Sequence, residues 1–196
     1  MKTDETSRQL DENGSAAPYA GGRKRTAGLK RADSHVRYTF DTLDLYQEAP
    51  LILGYLPQKT EINSIPIMRE ALRAGKRLAL PWIDPKTDQI TFYEVTYVST
   101  KQTAGHGLDN PPAEGKPIDH TELPNSLCLV PNVQFDGTSF RWASAMDAYE
   151  GFLNNYTGWT VALVGGQISD EEKTATCDLP LDIVVGEGDI VMVGVS

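Results

Sequence analysis

The 196-residue sequence predicts an α/β fold: a single domain with a mainly parallel sheet and helices on both of its faces, Rossmann-like in its three layers. Two observations carry this. Apolar strand-like runs alternate with segments of helical spacing along most of the chain. Most of those runs, Leu51-Ile-Leu53 and Leu127-Cys-Leu-Val130 among them, are apolar throughout and not at every second residue, as strands buried on both faces must be. A third observation marks where a ligand would sit. Residues 127–153 read as a strand, a polar turn at Asp136-Gly137 and a helix, and in open α/β folds ligands lie beyond the carboxyl ends of strands, against the loop and helix that follow. An ordinary βα unit without a site reads the same way.

Taken in order, residues 1–34 mix Gly, Ser, Ala, Asp and basic residues with almost no apolar periodicity. The expectation is a disordered tail over 1–34 and the α/β domain over 35–196. Val36, Phe40, Leu43 and Tyr46 recur at helical spacing, which predicts one amphipathic helix over about 34–47. The apolar run between Pro50 and Pro57 reads as a buried strand. Ser64 is placed to cap a helix carrying Ile67, Met68, Ala71 and Leu72, with Gly75 as its stop. Residues 76–82 form the next strand, and a turn at 84–88 leads into 89–96, a strand by its β-branched and aromatic content. Residues 100–126 are rich in Gly, Pro, Asp and Asn and predict a long surface loop. After the central unit, 159–164 is another buried strand and 170–175 suits a short helix. The runs 181–185 and 190–193 flank Gly186-Glu-Gly-Asp189 as a terminal hairpin.

A net charge of -9 opposes non-specific binding to nucleic acid or anionic membrane, both of which depend on Lys and Arg neutralising phosphate. The basic run Arg23-Lys24-Arg25 with Lys30-Arg31 reads as a solvated tail. The opening residues hold no apolar stretch, and no run approaches the roughly 18 apolar residues of a membrane span, so the expectation is a cytoplasmic protein. Cys128 and Cys177 sit beside apolar runs at no paired spacing and read as core thiols of a reduced compartment. A chain of this length buries roughly 70 % of its unfolded surface as one domain, and a monomer is expected.

Five short motifs follow one another. Tyr55-Leu-Pro57 precedes Glu61-Ile-Asn63; Gly75-Lys76 precedes Leu80-Pro81; Gly107-Leu-Asp-Asn-Pro111 stands alone; Leu129-Val-Pro131 precedes Phe135-Asp136; and Leu181-Asp-Ile-Val-Val185 precedes Glu187. In this order and spacing they resemble the 5-formyltetrahydrofolate cyclo-ligase (5,10-methenyltetrahydrofolate synthetase) family over residues 49–190. The resemblance implies the family's α/β fold and its reaction in folate one-carbon metabolism. ATP activates the formyl oxygen of 5-formyltetrahydrofolate, and ring closure through N10 gives the 5,10-methenyl product. It implies ATP and Mg²⁺ as cofactors and a folate as substrate. Residue by residue, it assigns Arg141 and Tyr149 to catalysis, and Tyr55, Glu61 and Asn110 to the substrate. It assigns Arg141, Ala143, Ser144 and Ala145 to ATP, and Glu150 to the metal.

The chain departs from the family at the phosphate loop. Where the family has Arg-Leu-Gly-x-Gly-x-Gly-Tyr-Tyr-Asp-Arg, this sequence has Arg141-Trp-Ala-Ser-Ala-Met-Asp-Ala-Tyr149-Glu150-Gly151. The leading Arg and one Tyr are kept, Asp becomes Glu, and every loop glycine is replaced. Asn110 stands for a Glu, and Arg25-Thr-Ala-Gly-Leu29-Lys30 is a displaced match to a Lys-x-x-Leu-Arg helix that contributes to nucleotide binding. Glycines let a backbone approach phosphates because they accept positive φ and carry no Cβ. Forcing Ala or Ser into that geometry costs roughly 1–2 kcal/mol per residue, against about 8 kcal/mol for micromolar binding.

Ser144-x-x-Asp147 also fits a capping box, with Trp142, Met146, Tyr149, Phe152 and Leu153 on one helical face, so the loop reads equally as an ordinary capped helix. A non-catalytic relative that binds a folate-like ligand or a protein partner is the alternative function. Arg141 is either a surface cation or a phosphate ligand that converges with the helix N-terminus near Ser144. Glu61 and Glu150 are alternatively solvated carboxylates, and Tyr55 and Tyr149 edges of the core. His35, His106 and His120 show no metal-ligand spacing and no nucleophile partner, and receive no role.

Overall fold

In a computed structural model of the chain, residues 27–99, 106–143, 146–177 and 179–193 are described. Helices α1 (Ala27–Asp41) and α2 (Asp44–Glu48) lead into strand β1 (Leu51–Leu53), followed by α3 (Ile65–Arg73), β2 (Arg77–Ile83) and β3 (Ile90–Glu94). A 3₁₀ turn (His120–Asn125) opens β4 (Ser126–Val130), and the hairpin β5 (Val133–Phe135) and β6 (Ser139–Trp142) precedes α4 (Asp147–Leu153). Then come β7 (Trp159–Leu163), α5 (Asp170–Lys173), β8 (Thr176–Cys177), β9 (Ile183–Val185) and β10 (Ile190–Met192).

The main sheet runs β10-β9-β7-β4-β1-β2-β3. Its five inner strands are mutually parallel and the two edge strands antiparallel, so the mainly parallel α/β fold stands. Because strand side chains alternate between faces, each apolar run feeds two cores at once. Ile52, Leu78, Leu80, Leu127, Leu129, Val161 and Ile183 pack under α1, α2 and α3. Leu51, Leu53, Ala79, Cys128, Val130, Ala162 and Val184 pack under α4 and the small sheet β5-β6-β8. No described helix is long and apolar enough to cross a membrane.

Several local expectations are corrected. The first helix begins at Ala27, seven residues before the expected start, because Ala32, Val36 and Phe40 already lie on one buried face; residues 1–26 of the expected tail lie outside the described residues. The expected single helix over 34–47 is two. At Leu43 the backbone is extended (φ -75°, ψ 114°), and Thr42 turns back onto the Thr39 carbonyl through both its N–H and its hydroxyl. Leu43 and Tyr46 remain buried across the break, which is why the spacing read as continuous.

Ser64 makes no capping bond. Its hydroxyl, fully buried, donates to the Tyr55 carbonyl at 2.8 Å and ties the start of α3 to the end of β1. Gly75 ends α3 at φ +78°, as expected. The loop expected over 100–126 is ordered at its far end by a capping box of Asp119 and Glu122 and by the buried Leu123; residues 100–105 lie outside the described residues. After Asp136 the chain forms a hairpin, not a loop. The Asp136 carboxylate accepts the N–H groups of Thr138 and Ser139, and Gly137 takes φ +100°. Helix α4 starts at Asp147 with Met146 at its N-cap and no side-chain cap from it; Ser144, from which a capping box is expected, lies outside the described residues.

Candidate functional site

A cavity of about 470 Å³ opens at the carboxyl ends of β1, β4 and β7, where the parallel sheet exposes its ligand-binding edge. Tyr55 comes from the chain after β1, and Glu61 and Ile62 from the approach to α3. Asn132 comes from the turn after β4, Phe135 from β5, Ala143 from the end of β6, and Leu163 to Gly165 from the end of β7. Leu29 of α1 and Glu172 of α5 complete the wall.

Glu61 is held by hydrogen bonds from several segments of the chain. Its carboxylate accepts the backbone N–H of Asn132 at 2.7 Å and that of Gln58, and pairs with His106 Nε2 at 3.0 Å. The Glu61 and His106 side chains are 11 % and 7 % exposed, so the pair is shielded from solvent. Asn132 reaches Glu61 because its backbone is left-handed, φ +60°, a geometry Asn tolerates better than most residues. Its carbonyl accepts the N–H of Ala143 at 2.7 Å and so closes the base of the β5–β6 hairpin.

Tyr55 is almost wholly buried, with its ring edge-on to the His106 imidazole at a centroid distance of 6.0 Å. Tyr149 lies fully buried on α4, against Trp142, and its hydroxyl has no hydrogen-bond partner among the described residues. Burial first, then the neighbouring Cys128, Tyr55 and Glu61, pushes the phenol well above its ordinary pKa, so it stays neutral at every physiological pH.

Of the remaining residues singled out in the sequence, Arg141, Asn110 and Glu150 are not gathered here. Arg141 lies on β6 opposite Gln134 and half exposed, with its Nε 2.9 Å from Asp136 Oδ2. Asn110 lines a separate depression of about 240 Å³ with Trp82, Pro85 and Gly107. Glu150 is exposed on α4, and among the described residues no group of three His, Cys, Asp or Glu side chains could hold a metal ion. Ala143 lines the cavity; Ser144 and Ala145 lie outside the described residues. The charged groups on the described wall are Glu61 and Glu172, with no Lys or Arg among them. His106, to which sequence reasoning gave no role, is not on the cavity wall but stands against two of its residues, Glu61 and Tyr55. It stands 45 residues from Glu61, and no spacing announces the pair.

The cavity lies at the carboxyl edge of the parallel strands of a three-layer α/β domain, the place where open α/β folds bind their ligands. The sequence model of the 5-formyltetrahydrofolate cyclo-ligase family matches residues 21–163, and the chain belongs to that family. Among solved structures, it is similar to the NMR structure of Aquifex aeolicus 5,10-methenyltetrahydrofolate synthetase, with a TM-score of 0.60 and 22 % identity over 86 % of this chain and 85 % of that one. At that identity the likeness is one of fold. No curated protein matches the chain.

Proposed function

We propose that this protein acts on 5-formyltetrahydrofolate in the ATP-dependent ring closure that yields 5,10-methenyltetrahydrofolate. The observation that carries the reading is the cavity wall. Tyr55 and Glu61, which match the family's motifs, meet at the carboxyl edge of the sheet around a space of about 470 Å³, enough for a drug-sized ligand. A fixed carboxylate suits the N–H donors of a pterin ring, and the buried Tyr55 ring backs the wall behind it. Buried Tyr149 behind that wall adds bulk and a neutral hydroxyl.

The nucleotide side of the reaction fits less well. Phosphoryl transfer is mainly positioning and charge neutralisation, and the described wall offers two carboxylates and no cation to a triphosphate. Arg141 pairs with Asp136 and Glu150 is exposed on α4, and neither is on that wall. These residues by themselves do not compose a phosphoryl-transfer site. Their assignment to ATP and Mg²⁺ rests on the resemblance, as does that of Ala143, Ser144 and Ala145. This observation favours a second reading, a family member that binds a reduced folate without turning it over.

One assay separates the two readings. Incubated with 5-formyltetrahydrofolate, ATP and Mg²⁺, the protein is expected to generate the methenyl chromophore. Calorimetric folate binding without chromophore or ATP binding would establish the second reading, and failure to bind folate would overturn both.

A further inference from the structure

We propose that His106 is the positioning residue of this cavity: its imidazole holds the Glu61 carboxylate, and beside it the Tyr55 ring, in the orientation that receives the substrate's heterocycle. The proposal rests on the folate reading above. An ionised carboxylate can only accept, so His106 donates from Nε2 across the 3.0 Å contact to Glu61 Oε1. The backbone donors on Glu61 come from Gln58, in its own loop, and from Asn132, after β4. His106 brings a side-chain donor from a third segment of chain, so three separate loops converge on one carboxylate.

The imidazole is set in place before any ligand arrives. The His106 carbonyl accepts the N–H of Leu56 at 2.8 Å, one residue beyond Tyr55, and the N–H of Leu108 donates to the Pro81 carbonyl at 2.8 Å. Between them, Gly107 passes so close to the Pro81 carbonyl that a Cβ there would collide with it. Residues 106–108 are thus pinned to the ends of β1 and β2, and the ring is held at 7 % exposure against both Glu61 and Tyr55. A donor fixed by the sheet spares the ligand the entropy of ordering Glu61, the usual source of affinity in a preorganised site.

The test uses the full chain and two variants. His106→Leu removes the donor and keeps an apolar side chain, whereas His106→Gln keeps an N–H donor. In the ligand-free protein the amide resonances of Gln58 and Asn132 report whether Glu61 stays in place. Calorimetric titration with 5-formyltetrahydrofolate reports binding. The expected result is that His106→Leu shifts both resonances and weakens folate binding roughly ten- to a hundredfold, the range for losing one hydrogen bond to a charged group, while His106→Gln restores both.

Unchanged amide resonances in His106→Leu, or unchanged affinity, would overturn the proposal. If the wild type binds no folate, the folate reading fails on its own and the amide resonances still decide whether His106 holds Glu61. Should His106→Leu not fold, a cycle of His106→Gln, Glu61→Gln and the double variant replaces it, read from the Asn132 amide shift; additive effects would overturn the proposal.

Discussion

Asp136 and Asn132 show how single residues shape the rim of the cavity. Asn132 adopts φ +60° immediately after Pro131, so that its N–H meets Glu61 and its carbonyl meets Ala143. Asp136 turns the β5–β6 hairpin. The Ser139 backbone N–H, then the Thr138 hydroxyl and N–H, and last the charge of Arg141 lower its pKa from 3.8 to about 2. A carboxylate depressed in the folded state stabilises it fully above the unfolded pKa and loses that contribution as pH falls through the folded one. The window for Asp136 therefore runs from about pH 4 down to about pH 2. Urea midpoints across that range should fall less steeply with acid in Asp136→Asn than in the wild type; equal slopes would mean that the turn is not held by the ionised carboxylate.

Elements are specified by the faces they bury. Helix α1 joins the core through Ala32, Val36 and Phe40, and it is fastened to the β9–β10 turn by two polar contacts. His35 Nδ1 lies 2.9 Å from Glu187 Oε2, and the Gly188 N–H donates to Thr39 Oγ1 at 2.9 Å. The His35 contact is also the main reason that Glu187 ionises below its ordinary pKa. Phe40 is fully buried and tilted against Tyr46 at 4.6 Å, whereas Tyr38 on the same helix is 75 % exposed. Phe40→Ala should cost about 3–5 kcal/mol in equilibrium unfolding, and Tyr38→Ala should stay within about 0.5 kcal/mol. Comparable losses from both would mean that α1 does not dock by this face.

At the scale of the molecule, one sheet serves two cores, and both cysteines lie in the core under α4 and the small sheet. Burial pushes the Cys128 thiol well above its usual range, and Cys177 is nearly as enclosed. A thiolate is the reactive form, so neither should react with a thiol reagent in the native state. On titration with urea both should become labelled together, at the midpoint of the loss of circular dichroism. Labelling of either cysteine well before that midpoint would show that this core opens apart from the rest.

The apolar runs of β1, β2, β4, β7 and β9 were legible in the sequence, as were the Gly75 stop and the terminal hairpin. Burial on two faces leaves a composition that any reading of periodicity detects. The motifs around Tyr55 and Glu61 likewise pointed to residues that meet at one cavity. Tertiary structure alone decided the break between α1 and α2, the hairpin after Asp136, the turning of Ser64 onto Tyr55, the capture of Arg141 by Asp136, and the Glu61–His106 pair. The physical reason is range. Hydrophobic spacing is a local sum that survives a kink or a short loop, whereas a buried hydrogen bond between residues 61 and 106 exists only because the sheet brings the ends of two distant loops to the same edge.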